Sequence, residues 1–182
     1  VCAFSALVVI YNSLKAHQDV GEDAPSVCFG GIMAKGQIPS RLVIHACPAA
    51  EISRIREITE WSPQGLLLGF QSGSASVRLT ATEAEDLVSQ LAQIPNCTFE
   101  IIQSGKESGV LFMHQPGLGI FRGELNAAGS IVLSEDRIQV LLNESAGNHR
   151  EFTRLLRLAL GQPWDDLFEP FRAVSHSENV AY

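Results

Sequence analysis

The sequence predicts an α+β fold in which a ferredoxin-like β-α-β-β-α-β core is followed by a β-meander and C-terminal helices. Three observations predict it. Short β-branched or alternating apolar runs recur between residues 41 and 104, and two helical segments interrupt them in split βαβ order. Three further runs follow, separated by turn signals. Two capped helical segments end the pattern.

The core begins with a predicted strand over residues 41–46 and a helix over 48–61, whose first turn accommodates a proline. Two strands, 65–71 and 74–80, should then form a hairpin. Ser72 and Gly73 are predicted to supply its two-residue turn.

A second helix should begin at Thr82, which forms a T-x-x-E capping box with Glu85. Its apolar residues recur with helical spacing, at Ala84, Leu87, Val88, Leu91 and Ile94. The strand 98–104 completes the core by alternation.

The remaining chain predicts a meander with strands 109–114, 119–125 and 130–133. Ser134 is the expected N-cap of the next helix, and Asn148 begins the last clear one. Both residues have side chains that accept hydrogen bonds from the free amides of a helix start.

We expect residues 1–32 to be a tail that is disordered or not native, with the natural protein beginning at Met33. Residues 33–182 should form one α+β domain, or two lobes at 41–104 and 105–182 that share a sheet.

Composition limits the function classes. The 182 residues are 46% hydrophobic and 18% charged, as in globular proteins, and the net charge of −7 argues against binding nucleic acid. The apolar run from Val1 to Tyr11 is far shorter than the roughly 20 residues of a membrane span. Four widely spaced cysteines are typical of reduced thiols. We therefore expect a cytoplasmic protein that binds neither nucleic acid nor membrane.

His45 and Cys47 lie at a predicted strand-to-helix turn, where a helix N-terminus lowers a thiol pKa and an imidazole could activate it. The alternative, which we favour, is a Cys47 that is simply buried.

Acidic residues gather near the C-terminus without the spacing of a metal site, and Asp165 is expected to cap a short helix there. We expect no metal and no other cofactor. The nearby aromatic residues either dock on the sheet, which we favour, or offer a surface to a partner. This candidate partner surface comprises Trp164, Phe168, Phe171 and Arg172.

Arg137 is unusual because a cation in the first turn of a helix opposes the helix dipole. We expect it to pair with Asp136 or Glu169, and the alternative is that it binds an anionic ligand. If the protein is an enzyme, its pocket should be lined by His45, Phe121, Arg122, Asp136 and Arg137.

Four segments, at residues 42–48, 118–121, 129–138 and 160–172, together resemble an uncharacterised actinobacterial family, the domain of unknown function family 3145. Members show V-H-S-A-P where this chain has Ile44 to Pro48, so Cys47 departs from the pattern and the nucleophile hypothesis weakens. The family has no established activity, so the resemblance supplies no catalytic residues. It implies a role near type II fatty-acid synthesis, with acyl carrier protein or enzymes of that synthesis as partners.

Together these features favour a non-enzymatic binding or regulatory module, because no catalytic motif outweighs a structural explanation of the same residues. The alternative is an enzyme with a small pocket around His45 and Arg137.

Overall fold

A computed structural model describes residues 36–67 and 70–177, all of them within the unit Lys35–Tyr182. The expected tail at 1–32 and the expected start at Met33 lie outside the described residues. The fold is α+β, with a seven-stranded antiparallel sheet and five α-helices in this part of the chain.

The strands are β1 (Ile38–Cys47), β2 (Gly65–Leu67), β3 (Phe70–Leu79), β4 (Thr98–Ser104), β5 (Ser108–Gln115), β6 (Gly119–Asn126) and β7 (Ile131–Val132). The helices are α1 (Ile52–Ile58), α2 (Ala81–Leu91), α3 (Glu135–Glu144), α4 (His149–Ala159) and α5 (Gln162–Ser177).

The strand order is β2-β3-β1-β4-β5-β6-β7, and every neighbouring pair is antiparallel. β1 therefore lies between β3 and β4, while the strands from β4 to β7 follow one another in chain order. The sheet is continuous across the boundary at residue 104 that would separate two lobes.

One side of the sheet, called here the first face, packs against α1 and α2. Its buried strand residues include Leu42, Ile44, Phe99, Ile101 and Phe112. The predicted apolar stripe of α2 is confirmed, because Ala84, Leu87, Val88 and Leu91 are all buried. This layer holds most of the hydrophobic core.

The opposite side, the second face, packs against α5. Met113 and Phe121 from the strands meet Trp164 and Phe168 from the helix. Helix α4 contacts α5, and α3 contacts α4. The C-terminal helices thus cover the face that α1 and α2 leave open.

The predicted hairpin turn at Ser72 and Gly73 is wrong. Both residues lie inside β3, where Ser72 pairs with Gly65 of β2 and Gly73 pairs with Ile44 of β1. A Cβ atom on Gly73 would come within 3.0 Å of the Ser62 carbonyl oxygen and 3.2 Å of Trp61 Nε1. Gly73 therefore permits a close approach rather than a turn.

The first helix is shorter than the predicted 48–61. A 3₁₀ turn at Ala49–Glu51 leads into α1, which ends where Thr59 adopts an extended conformation. Beyond that end, Trp61 is fully buried among the residues of the first face. The burial of this large side chain favours extended backbone over another helical turn.

Two of the predicted helix starts also need correction, and two are confirmed. The capping box of α2 is formed by Thr80 and Glu83 rather than Thr82 and Glu85. Asp165 lies inside the first turn of α5 and does not cap it, because the Gly161 carbonyl accepts from the amides of both Trp164 and Asp165. The predicted caps of α3 and α4 are confirmed at Ser134 and Asn148.

No helix among the described residues combines the length and the hydropathy that a bilayer span requires.

Candidate functional site

A group of charged side chains lies between β1, β4 and α5 on the second face. We call it the Glu100 cluster, and it consists of His45, Glu100, Asp165 and Arg172. Glu100 is only 7% exposed. Arg172 Nη2 donates to Glu100 Oε2 at 2.7 Å and Nη1 donates to Asp165, while His45 Nε2 lies 3.6 Å from Glu100 Oε1.

The strand register explains why these residues meet. Val43 of β1 lies opposite Glu100 of β4, and the pairing shifts between Ile44 and Ala46, beside His45. The His45 ring then lies against Phe168 of α5, with ring centroids 4.8 Å apart. Arg172 lies one helical turn after Phe168 on α5, and its guanidinium group therefore reaches Glu100.

Burial raises the pKa of Glu100, but nearby His45 and Arg172 outweigh it and hold that pKa at about 2. Burial lowers the pKa of Arg172, whereas Glu100 and Asp165 raise it, and the net shift is upward. Glu100 and Arg172 are therefore both charged at neutral pH, and their pairing reduces the cost of burying the carboxylate.

The Glu100 cluster joins α5 to the sheet, and the groups at its centre are enclosed. His45 is 5% exposed, and its Nε2 atom has no hydrogen-bond partner in the described structure. The 3.6 Å separation from Glu100 is too long for a hydrogen bond. A substrate would have to displace α5 to reach either group.

The five residues predicted to line an enzyme pocket are not brought together. His45 and Phe121 are buried on the second face. Arg122 lies on the first face, because successive side chains of a strand point to opposite sides, and it stands 3.8 Å from Glu85 of α2. Asp136 and Arg137 are exposed in the first turn of α3.

Arg137 does not form the expected pair with Asp136 or Glu169. Its backbone amide donates to the Ser134 hydroxyl that caps α3, and its side chain makes no ion pair within the described residues. Exposure of the helix start screens its unfavourable interaction with the dipole, so no partner is required.

The residues of the candidate partner surface are largely turned toward the sheet. Trp164 is 9% exposed and donates its indole N–H to the Gly119 carbonyl at 3.0 Å, and Phe168 is fully buried. Phe171 and Arg172 are half-buried. Trp164 and Phe168 therefore dock on the sheet, which is the alternative that we favour for this segment.

Cys47 and His45 also point to different sides. Cys47 is buried in the core of the first face, whereas His45 contacts α5 on the second. The imidazole therefore does not activate this thiol. Cys47 instead lies beside a second buried thiol, Cys97.

A groove along α4 was missed in the sequence. It is an open depression of about 630 Å³, lined by His149, Arg150, Thr153, Arg154, Arg157, Leu158, Pro163 and Asp166. We call it the α4 groove. Arg150, Arg154 and Arg157 follow the spacing i, i+4, i+7, which places them on one helix face. That spacing was readable from the sequence once the helix was predicted.

Two of these arginines are oriented by neighbours. Arg154 makes a bidentate pair with Glu151 at 2.6 and 3.0 Å. Arg157 donates to Gln162 at 2.8 Å and to Asp166 at 3.3 Å. Arg150 is exposed, and its side chain makes no hydrogen bond within the part of the chain that the structure describes. The groove therefore presents one guanidinium available for a new contact beside two that are held in place.

Helix α3 exposes several large apolar side chains. Ile138, Val140 and Leu142 are between 38% and 44% exposed, and Leu141 is the one buried residue of this helix. Helix α3 thus exposes three large apolar side chains to solvent.

The fold and the site define an α+β protein with a buried charge cluster and an arginine-lined groove. The model of a family described as "Protein of unknown function (DUF3145)" matches residues 39–182. The chain belongs to that family. No curated protein and no solved structure matches this chain.

Proposed function

We propose that this chain is a non-enzymatic, cytoplasmic binding module that docks an acidic protein partner in the α4 groove. The observation that carries the proposal is the row of three arginines on one face of α4, in a chain whose net charge is −7. Such a local reversal of charge attracts and orients a partner of the opposite sign.

The chemistry of the groove suits carboxylates. A guanidinium binds a carboxylate through two parallel hydrogen bonds, and Arg150 is available for such a contact. Leu158 and Pro163 add apolar surface to the lining, which a partner side chain could cover. Glu151 and Asp166 orient the neighbouring arginines and leave the lining with a modest positive balance.

Binding is favoured over catalysis because the residues best suited to chemistry are enclosed. His45 and Glu100 lie beneath α5, and their burial leaves no room for a substrate beside them. The residues of the α4 groove are accessible, but their chemistry is that of recognition, with guanidinium groups that donate hydrogen bonds.

The partner that we propose to test first is acyl carrier protein, because the family resemblance implies a role near type II fatty-acid synthesis. We further propose that β1 to β4 with α1 and α2 form a ferredoxin-like unit. The strand order β2-β3-β1-β4, with α1 and α2 packed on one face, supports this arrangement.

The test is a titration of fluorescently labelled acyl carrier protein with the full chain, followed by anisotropy. We expect Arg150→Glu to weaken binding by at least about tenfold, since it replaces a docking cation with a like charge. Arg56→Glu is the matched control. Arg56 is also exposed, but it lies on α1 at the first face.

Binding should also weaken as salt is added, because exposed charges are screened. A chain that shows no saturable binding would contradict the proposal. So would equal weakening by Arg150→Glu and Arg56→Glu, because the site would then lie elsewhere.

A further inference from the structure

Two buried cysteines lie at the end of β1 and just before the start of β4. Ala46 of β1 is paired with Thr98 of β4 in an antiparallel ladder. Continuing that register by one residue sets Cys47 opposite Cys97. Both side chains are fully buried and belong to the core of the first face.

This placement comes close to the geometry of a disulfide. Directly opposed residues of antiparallel strands have Cβ atoms about 4.5–5.5 Å apart, whereas a disulfide needs about 3.5–4.5 Å. A small adjustment is therefore sufficient. The shift of register between Ile44 and Ala46, just before Cys47, is a place where the backbone can make it.

The two thiols already interact. Hydrogen bonding to Cys97 lowers the pKa of Cys47, against the opposing effects of burial and of Glu51. The same contact, together with burial, raises the pKa of Cys97. The Cys47 thiol also donates to the Pro48 carbonyl oxygen at 3.3 Å.

We propose that Cys47 and Cys97 are a reversible redox pair that closes to an intramolecular disulfide when a small disulfide such as oxidised glutathione is the oxidant. The Cys47 thiolate attacks one sulfur of the oxidant, and one glutathione thiolate leaves. Cys97, after losing its proton to solvent, then attacks the Cys47 sulfur and displaces the second glutathione.

The exchange is balanced. Two protein thiols lose two electrons and two protons, and the oxidant gains them as two glutathione thiols. Because both sulfurs are buried, the exchange requires a transient opening of the end of β1. The product would tie two central strands together and close a loop that contains α1, β2, β3 and α2.

The experiment treats the full chain with oxidised glutathione a few degrees below its Tm, where such openings are frequent. Free thiols are then alkylated, and a non-reducing digest is analysed by mass spectrometry. We expect a linked peptide pair containing Cys47 and Cys97, together with a Tm increase of about 10 °C that dithiothreitol reverses.

Two variants keep the result interpretable. A Cys2→Ser, Cys28→Ser double variant removes the alternative pairings and should still gain the full increase in Tm. Cys97→Ser should lose it. The proposal is overturned if no peptide joins Cys47 to Cys97, or if that peptide forms with an unchanged or lower Tm.

Discussion

The two faces of the sheet are held by different interactions. The first face is an apolar layer in which α1 and α2 cover aliphatic and aromatic side chains. The second face buries four apolar residues at its centre and adds the Glu100 cluster beside them. The attachment of α5 therefore depends on the charge of one carboxylate, whereas the first face holds the buried imidazole of His114, which stacks on Phe99 and whose pKa is lowered by burial.

The largest expected effect is on the apolar contact of α5. Phe168 is fully buried, so Phe168→Ala should lower the free energy of unfolding by about 3–5 kcal/mol, as truncation of a buried aromatic does. Urea denaturation measures this loss. Leu167→Ala is the control on the same helix, because Leu167 is 43% exposed, and it should cost less than about 1 kcal/mol. Equal losses would mean that α5 is not packed on the sheet.

The next effect is the loss of folding stability at acidic pH. Glu100 has a folded pKa of about 2, below its ordinary value of 4.5, so its contribution is complete above pH 4.5 and is lost as the pH falls toward 2. The shift corresponds to about 3 kcal/mol. Unfolding measured across this range should show a shallower loss for Glu100→Gln than for the natural chain. Identical acid profiles would show that Glu100 does not stabilise α5 through its charge.

A smaller effect is the difference in stability that the ion pairs of the two faces contribute. Arg172→Met leaves the Glu100 carboxylate buried without its guanidinium, and we expect a loss of about 2 kcal/mol after allowing for the 30% exposure of Arg172. Arg122→Met is the counterpart on the first face, where both partners are more than half exposed, and it should cost less than about 1 kcal/mol. Adding Glu100→Gln should restore part of the loss in Arg172→Met. Strict additivity would contradict a direct pairing.

Local patterns in the sequence predict most of the fold. The alternation over 98–104 matches β4, and the spacing of apolar residues matches the buried face of α2. Errors arise where one signal has two physical meanings. A glycine such as Gly73 is compatible both with a turn and with a close approach of two backbones. Thr80 and Thr82 each precede a glutamate by three residues, so both fit the spacing of a capping box. Only the tertiary structure distinguishes these alternatives.

The candidate site was less predictable because its parts are distant in the chain. His45, Glu100 and Arg172 come from β1, β4 and α5, and no local spacing relates them. The α4 groove is different. Its arginines are local, and only the contribution of Pro163 and Asp166 depends on how α5 packs.

Hydrogen exchange of the full chain, measured with and without acyl carrier protein, locates the binding site directly. We expect acyl carrier protein to slow amide exchange in α4 and in the first turn of α5, residues 149–166, and to leave exchange in α1 unchanged. Slowed exchange confined to α1 or α2, with none in α4, would contradict the claim that the α4 groove is the binding site.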